Sequence, residues 1–452
     1  MTTKVLVRNG SMEPSRGFFG TIFKPIVSWY IPTSRAKSEM AERRLLAVGN
    51  LLVSNYPEEI MSDKDSIEFK GDMTRASIHN VYIDDSNFIR TLVVSGNNSN
   101  TSSFELESKQ DADDTSPEKK EWLVLAHGFG NGLGFFFKNY HELSKIPDTN
   151  VVGIDWLGMG LSSRSKFEVD KKLPIKQQVH QAEDYFVESL EKWRAEMNIE
   201  KMTLLGHSFG GYMSSLYALK YPQRINKLIL ESPVGLQRTP EGLDKFLETG
   251  NFDLIDVEKI QENLNELKSN TSDTSSANEL EIIARERNLL FAERFKSIKP
   301  TYKTLGKLAI KTWNNYISPQ SLVRAAGRFG PGIINKYVEH FGPLTEEERA
   351  GLGKYMYHVS AQPEGSERSI CVILKALAFG RDPLLDRLDK LKVPTYFIYG
   401  EKDWMDFKTG YDLHLKLKPK SDIFRVPDAG HNMQLDNPDA FNSLIKKIVT
   451  EK

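Results

Sequence analysis

Met202-Thr203-Leu204-Leu205-Gly206-His207-Ser208-Phe209-Gly210-Gly211-Tyr212-Met213-Ser214-Ser215-Leu216-Tyr217-Ala218-Leu219 is an apolar run, a turn carrying G-x-S-x-G, and a helix-like segment. Strand, turn and helix in that order are the context of a nucleophile elbow. Such a turn needs small residues two before and two after the serine, because Cβ atoms there collide with the flanking strand and helix. The helix then directs its positive N-terminal end at the space where negative charge develops in acyl transfer. The five-residue pattern alone recurs by chance; its frame is what singles out Ser208.

On either side the alternation of strand and helix continues. Residues 78–83 and 88–94 flank Asp84-Asp85-Ser86-Asn87 and read as an opening hairpin. Trp122-Leu123-Val124-Leu125-Ala126 and Val151-Val152-Gly153-Ile154-Asp155 follow, then a helix with apolar spacing at Phe186, Leu190, Trp193 and Met197. Downstream lie Lys227-Leu228-Ile229-Leu230, Pro394-Thr395-Tyr396-Phe397-Ile398-Tyr399 and Ile423-Phe424-Arg425-Val426, and a last helix opening at Asn437-Pro438. This rhythm predicts an α/β fold, a mostly parallel doubly wound sheet with its site at the strands' carboxyl ends. The rhythm lapses over residues 234–378, which read as an inserted helical cap with a Ser/Thr/Asn-rich joint at 269–278. The expected organisation is a presequence-like N-terminal arm at 1–70, an α/β core at 71–233 and 379–452, and the cap between. Residues 97–120, almost wholly polar, read as a surface insertion.

Sixty basic residues against 61 acidic ones leave no net field to recruit nucleic acid. One cysteine, Cys371, excludes an intramolecular disulfide and suits a reducing compartment. No apolar run reaches the roughly 18 residues of a spanning helix. Residues 1–38 carry Lys4, Arg8, Arg16, Lys24, Arg35 and Lys37 against Glu13 alone. A basic, acid-poor, aromatic-rich start resembles a mitochondrial presequence; a surface-lying arm is the other reading.

A serine that attacks an ester needs a base, an acid to orient it, and donors for the oxyanion. In chain order Ser, acid, His, the candidates are Ser208, Asp403 in Gly400-Glu401-Lys402-Asp403-Trp404, and His431 in Ala429-Gly430-His431-Asn432. Each follows a strand by a short loop. Glu231 and Asp406 are rivals for the acid; His127, His180 and His207 are weaker bases, and His127 and His207 are better suited to shaping backbone. The expected oxyanion donors are the backbone N–H groups of Phe129, in His127-Gly128-Phe129-Gly130, and Phe209. Phe135-Phe136-Phe137 suits either core or the wall of an acyl pocket. His431 and Asp436 also spell H-x4-D, the pattern of glycerolipid acyltransferases; Asp436 alternatively complements the dipole of the helix it precedes. No cluster has metal-ligand spacing, and neither a metal nor a bound cofactor is expected.

His127-Gly128-Phe129-Gly130-Asn131-Gly132-Leu133-Gly134, Asp155-Trp156-Leu157-Gly158-Met159-Gly160-Leu161-Ser162-Ser163-Arg164 and the elbow resemble the α/β-hydrolase subfamily of the lipolysis coactivator of lipid droplets and the N-acyl-phosphatidylethanolamine lipases. The resemblance covers residues 75–236 and 390–450, and H-x4-D belongs to it. With its N-terminus and long cap, the chain is most similar to the fungal mitochondrial branch, which holds a cardiolipin-specific deacylase and a lysophosphatidate acyltransferase. The resemblance implies an α/β-hydrolase fold and glycerophospholipid substrates. The coactivator lacks the nucleophile serine; this chain keeps Ser208, which favours an enzyme.

Residues 295–338 carry Lys296, Lys299, Lys303, Lys307, Lys311, Arg324, Arg328 and Lys336 and no acid, interleaved with aromatic and aliphatic side chains. Such a stretch suits an anionic membrane surface, each cation contributing about 1 kcal/mol. Pairing with the acid-rich residues 244–293 is the alternative. The expected function is a serine acyl-hydrolase of phospholipase A type, peripheral to a mitochondrial membrane. Its rivals are an acyltransferase from acyl-CoA to lysophosphatidic acid, with acyl-CoA as co-substrate, and a non-catalytic lipid-surface adaptor.

Overall fold

The computed structural model describes residues 33–61, 72–94, 121–165, 167–270 and 276–451. The aromatic-rich start and the polar insertion at 97–120 lie outside the described residues. Among the described residues nine strands form one sheet in the order β1-β2-β3-β5-β4-β6-β7-β8-β9. They are β1 Leu51–Ser54, β2 Thr74–Tyr82, β3 Phe88–Val94, β4 Glu121–Ala126, β5 Thr149–Ile154, β6 Met202–His207, β7 Ile225–Glu231, β8 Thr395–Gly400 and β9 Ser421–Val426. Only the pairings β2·β3 and β3·β5 are antiparallel. The β2–β3 hairpin turns where the sequence places Asp84, whose carboxylate accepts from the N–H groups of Ser86 (3.0 Å) and Asn87 (2.8 Å).

Strands β6 and β8 are buried at every residue, as central parallel strands covered on both faces must be. Helices Ile175–Glu196 and Phe209–Lys220 cover one face, burying Phe186, Leu190, Trp193 and Met213 against Val124, Ile154 and Leu204. On the other face, Arg35–Val48 and Pro438–Thr450 bury Leu45, Phe441 and Ile445 against Leu123, Leu205 and Ile229.

The N-terminal arm expected over residues 1–70 therefore needs correction. Helix Arg35–Val48 and strand β1 belong to the core, with β1 paired in parallel to β2. The helix buries charge as well as leucine: Arg90 reaches Glu42 at 2.8 Å and Glu39 at 3.3 Å, and the Tyr56 hydroxyl donates to Glu42 at 2.8 Å.

Between β7 and β8 the chain is helical, from Asp244–Thr249 to Ser369–Ile373. The first half has a small core of its own around Leu243, Phe246, Phe252, Ile260 and Ile310. The second half joins the main core through helix Glu346–Ser360, whose Tyr355 hydroxyl accepts from the Gly134 N–H at 3.1 Å. Helix Pro300–Asn314 buries Ile310 but leaves Tyr302, Leu305 and Leu308 about 60% exposed. Lys303 pairs with Asp253, whereas Lys299, Lys307 and Lys311 have no acidic partner among the described residues. Among those residues no helix is long and apolar enough to cross a membrane.

Candidate active site

Strand β6 ends at His207 and the next helix starts at Phe209, so Ser208 alone makes the turn, at φ 54° and ψ −111°. A positive φ at a non-glycine residue costs about 1–2 kcal/mol. Backbone hydrogen bonds sustain it: the Ser208 N–H donates to the Glu231 carbonyl (2.8 Å), and the Ser208 carbonyl accepts from Tyr212 (3.1 Å) and Val234 (3.3 Å). A Cβ on Gly206 would stand 2.4 Å from the Gly210 carbonyl oxygen, and one on Gly210 would stand 2.3 Å from that of Ala126. Both elbow glycines are thus sterically required.

The three predicted side chains meet at this turn. The Ser208 Oγ lies 3.0 Å from His431 Nε2, and His431 Nδ1 lies 3.2 Å from Asp403 Oδ1. Asp403 also accepts from the Met405 N–H at 2.9 Å and from the Ser232 hydroxyl. Burial pushes the Asp403 carboxyl upward, but hydrogen bonds from His431, Ser232 and Met405 outweigh it and hold the group below the usual carboxylate range. An ionised Asp403 fixes the imidazole proton on Nδ1 and leaves Nε2 free to accept the serine proton.

The loop His127-Gly128-Phe129-Gly130 runs against the nucleophile, since a Cβ on Gly128 would lie 3.2 Å from that of Ser208. The Phe129 and Phe209 rings pack edge to face at 6.5 Å. Their backbone N–H groups donate to no acceptor among the described residues, as oxyanion donors awaiting a ligand would.

The rival residues have other work. Asp406 caps helix Phe407–Lys416 by accepting from the Lys408 N–H at 3.1 Å. Glu231 is fully buried, its carboxyl pushed well above the usual carboxylate range by burial, and it contacts the site through its main chain. His180 pairs with Asp382 at 3.1 Å. Burial lowers His127 to about 4; its Nδ1–H donates to the Gly128 carbonyl and its Nε2 accepts from the Trp156 N–H. His207, pushed down to about 3 by burial and by His431, donates through Nε2 to the His431 carbonyl at 3.0 Å. Phe135, Phe136 and Phe137 are wholly buried core; Phe135 stacks on His207 at 5.9 Å.

Asp436 does not reach the imidazole. Its Oδ2 accepts from the Gly430 N–H (2.8 Å) and its Oδ1 from the Gly342 N–H of the cap (3.0 Å). Ser232, which supports Asp403, carries no motif that would have marked it in the sequence; its one structural mark is a φ of 44°. Among the described residues no group of three His, Cys, Asp or Glu side chains could hold a metal.

Such an arrangement can deprotonate a hydroxyl, attack a carbonyl and receive the developing oxyanion. A protein of Oryza sativa subsp. japonica named probable 1-acylglycerol-3-phosphate O-acyltransferase is 32% identical over 73% of this chain and 67% of its own length. An Arabidopsis thaliana 1-acylglycerol-3-phosphate O-acyltransferase is 32% identical over 72% of this chain, which spans 65% of that relative. The (lyso)-N-acylphosphatidylethanolamine lipase of Mus musculus is 28% identical over 74% of this chain and 81% of its own length. The α/β-hydrolase fold family model matches residues 121–438, and the chain belongs to that family.

Proposed function

We propose that the protein is a serine acyl-hydrolase that deacylates a glycerophospholipid, by a phospholipase A type reaction, at a mitochondrial membrane. The hydrogen-bonded series Ser208–His431–Asp403 carries this reading. Ser208 Oγ attacks the ester carbonyl as His431 Nε2 takes its proton, and the amides of Phe129 and Phe209 receive the oxyanion. Collapse expels the lysolipid alkoxide, which takes the proton back from His431, and leaves an acyl-serine. Water, deprotonated by the same nitrogen, then releases the fatty acid. The lipase name borne by the Mus musculus relative supports a lipid ester or amide as substrate. The exposed Tyr302, Leu305 and Leu308 beside Lys299, Lys307 and Lys311 suit docking on an anionic membrane.

The second reading is transfer of an acyl group from acyl-CoA to lysophosphatidic acid, favoured by the names of the plant relatives. It needs only that a lipid hydroxyl replace water at the acyl-serine. Purified protein given labelled cardiolipin, or lysophosphatidate with acyl-CoA, separates the two. Fatty acid release that disappears in Ser208→Ala supports the hydrolase, and an acyl-CoA-dependent diacyl product supports the transferase. Full rescue of a null strain by Ser208→Ala points instead to a lipid-surface adaptor. For localisation, removing residues 1–32 leaves the buried helix Arg35–Val48 intact and should release the protein from mitochondria; unchanged localisation defeats that part of the proposal.

A further inference from the structure

The acyltransferase pattern His431–Asp436 suggests a base and an acid working as a pair, yet the geometry gives them different tasks. An imidazole has two nitrogens, and both of His431's are committed, Nε2 to Ser208 and Nδ1 to Asp403. None remains for Asp436. Both of its carboxylate oxygens accept main-chain N–H groups: Gly430, the residue before the histidine, and Gly342, which lies beyond helix Gly330–Val338 of the cap.

The cap side of this link is itself fixed. Arg349, from helix Glu346–Ser360, donates to the Val338 carbonyl at 2.8 Å and to the Gly342 carbonyl at 3.4 Å. Phe341 packs edge to face on Phe135 at 5.7 Å, Phe135 stacks on His207, and His207 donates to the His431 carbonyl at 3.0 Å. The main chain of the histidine is thus held on both sides, by Asp436 at the preceding N–H and by His207 at its own carbonyl. Both holds lead to the segment 341–342. Helix Gly330–Val338 is exposed to solvent at Ile333 and Tyr337, as is Phe329, the residue that precedes it.

We propose that Asp436 is a positioning residue of the serine-hydrolase centre, tying the His431 loop to the cap, and that H-x4-D in this chain is not a second catalytic centre. This rests on the serine-hydrolase reading. Hydrolysis and acyl transfer then share one base held in one place, so whatever frees the loop impairs both alike.

The link can be cut from either end. Asp436→Asn exchanges one acceptor oxygen for an amide facing an N–H donor. Gly342→Ala acts from the cap, since its Cβ would stand 2.5 Å from Asp436 Oδ1 and 2.7 Å from Asp436 Cα, forcing the carboxylate away. The full-length protein is assayed with p-nitrophenyl butyrate, with acyl-CoA plus lysophosphatidate, by the rate of fluorophosphonate labelling, and by thermal unfolding. Both variants should lower kcat for hydrolysis and for any transfer by a common factor, of about 10²-fold for a displacement near 1 Å, with KM within about twofold. The rate of labelling should fall with kcat, because the base no longer stands against Ser208 Oγ. Three results would overturn the proposal: Asp436→Asn that loses transfer but hydrolyses like wild type; Gly342→Ala that labels like wild type; or a lower unfolding temperature in both variants with kcat unchanged. Wild-type protein that the fluorophosphonate does not label, or labelling that survives Ser208→Ala, would instead refute the serine-hydrolase reading.

Discussion

Ser232 offers the sharpest test of how the site is held, because its hydroxyl is the sole partner of Asp403 Oδ2 among the described residues. Ser232→Ala leaves that oxygen unpartnered on a carboxylate whose side chain is 2% exposed. A hydrogen bond to a charged group contributes about 1.5–3 kcal/mol, so its loss raises the Asp403 pKa. Asp403 lies below the usual carboxylate range in the folded protein, with burial opposing its hydrogen bonds. A depressed folded pKa gives stability that is present above the unfolded value near 4 and lost as pH falls through the folded value. In the variant the folded pKa rises, so the acid limb of stability moves to higher pH and about 1.5–3 kcal/mol disappears at neutral pH. Urea unfolding between about pH 3 and 8 reads this directly. At neutral pH Asp403 stays ionised, so kcat/KM should fall less than about 10-fold, against about 10⁴ for Asp403→Asn. Ser232→Gly separates strain from hydrogen bonding. It must shift the acid limb equally, yet be about 0.5–1 kcal/mol more stable than the alanine variant, because glycine accepts the φ of 44° without strain. An acid limb unmoved in both variants would refute the reasoning.

Ser208→Gly should lose fluorophosphonate labelling while gaining about 1 kcal/mol in urea unfolding, since it relieves the positive φ of the elbow. Arg90→Met leaves the Glu42 carboxyl buried without its partner, and should cost about 3–5 kcal/mol in the same assay. Lys307→Gln should weaken binding to phosphatidylserine vesicles about fivefold, the equivalent of roughly 1 kcal/mol for one cation, with p-nitrophenyl butyrate hydrolysis unchanged; equal vesicle affinity would remove this helix from the membrane face.

The sheet and the elbow were legible because each rests on local steric or periodic rules. Glycines at 206 and 210, and apolar spacing at Phe186, Leu190 and Trp193, leave few structures open. Asp403 and His431 were legible from their distance beyond strands β8 and β9. Helix Arg35–Val48 was not, because its buried face includes Ser38, Glu39 and Glu42. Carboxylates on a core face break the apolar periodicity, and the Arg90 that compensates them lies on a separate strand. Ser232 and Gly342 escaped for a related reason: each acts through a partner far along the chain, Asp403 and Asp436, and no local pattern records a meeting made by tertiary folding.

A single imidazole serving both candidate reactions moves the choice between them away from the triad and toward what reaches the acyl-serine. Ser208 is 8% exposed, and the ring of Trp404, itself 53% exposed, lies 5.0 Å from that of His431. Arg287 of the cap helix Ser276–Lys296 donates to the Trp404 carbonyl, so the cap holds this residue against the histidine. A ring packed on the imidazole shields part of it from water while presenting an apolar surface to a lipid acceptor. Trp404→Ala should therefore raise the ratio of hydrolysis to acyl transfer, read as fatty acid against diacyl product from one acyl-CoA and lysophosphatidate mixture. The rate of fluorophosphonate labelling, which needs only Ser208, His431 and Asp403, should stay within about threefold of wild type, because the nucleophile and its base are untouched. A ratio that holds while both rates fall would mean that Trp404 merely supports the His431 loop, and that the partition is set by the substrate alone.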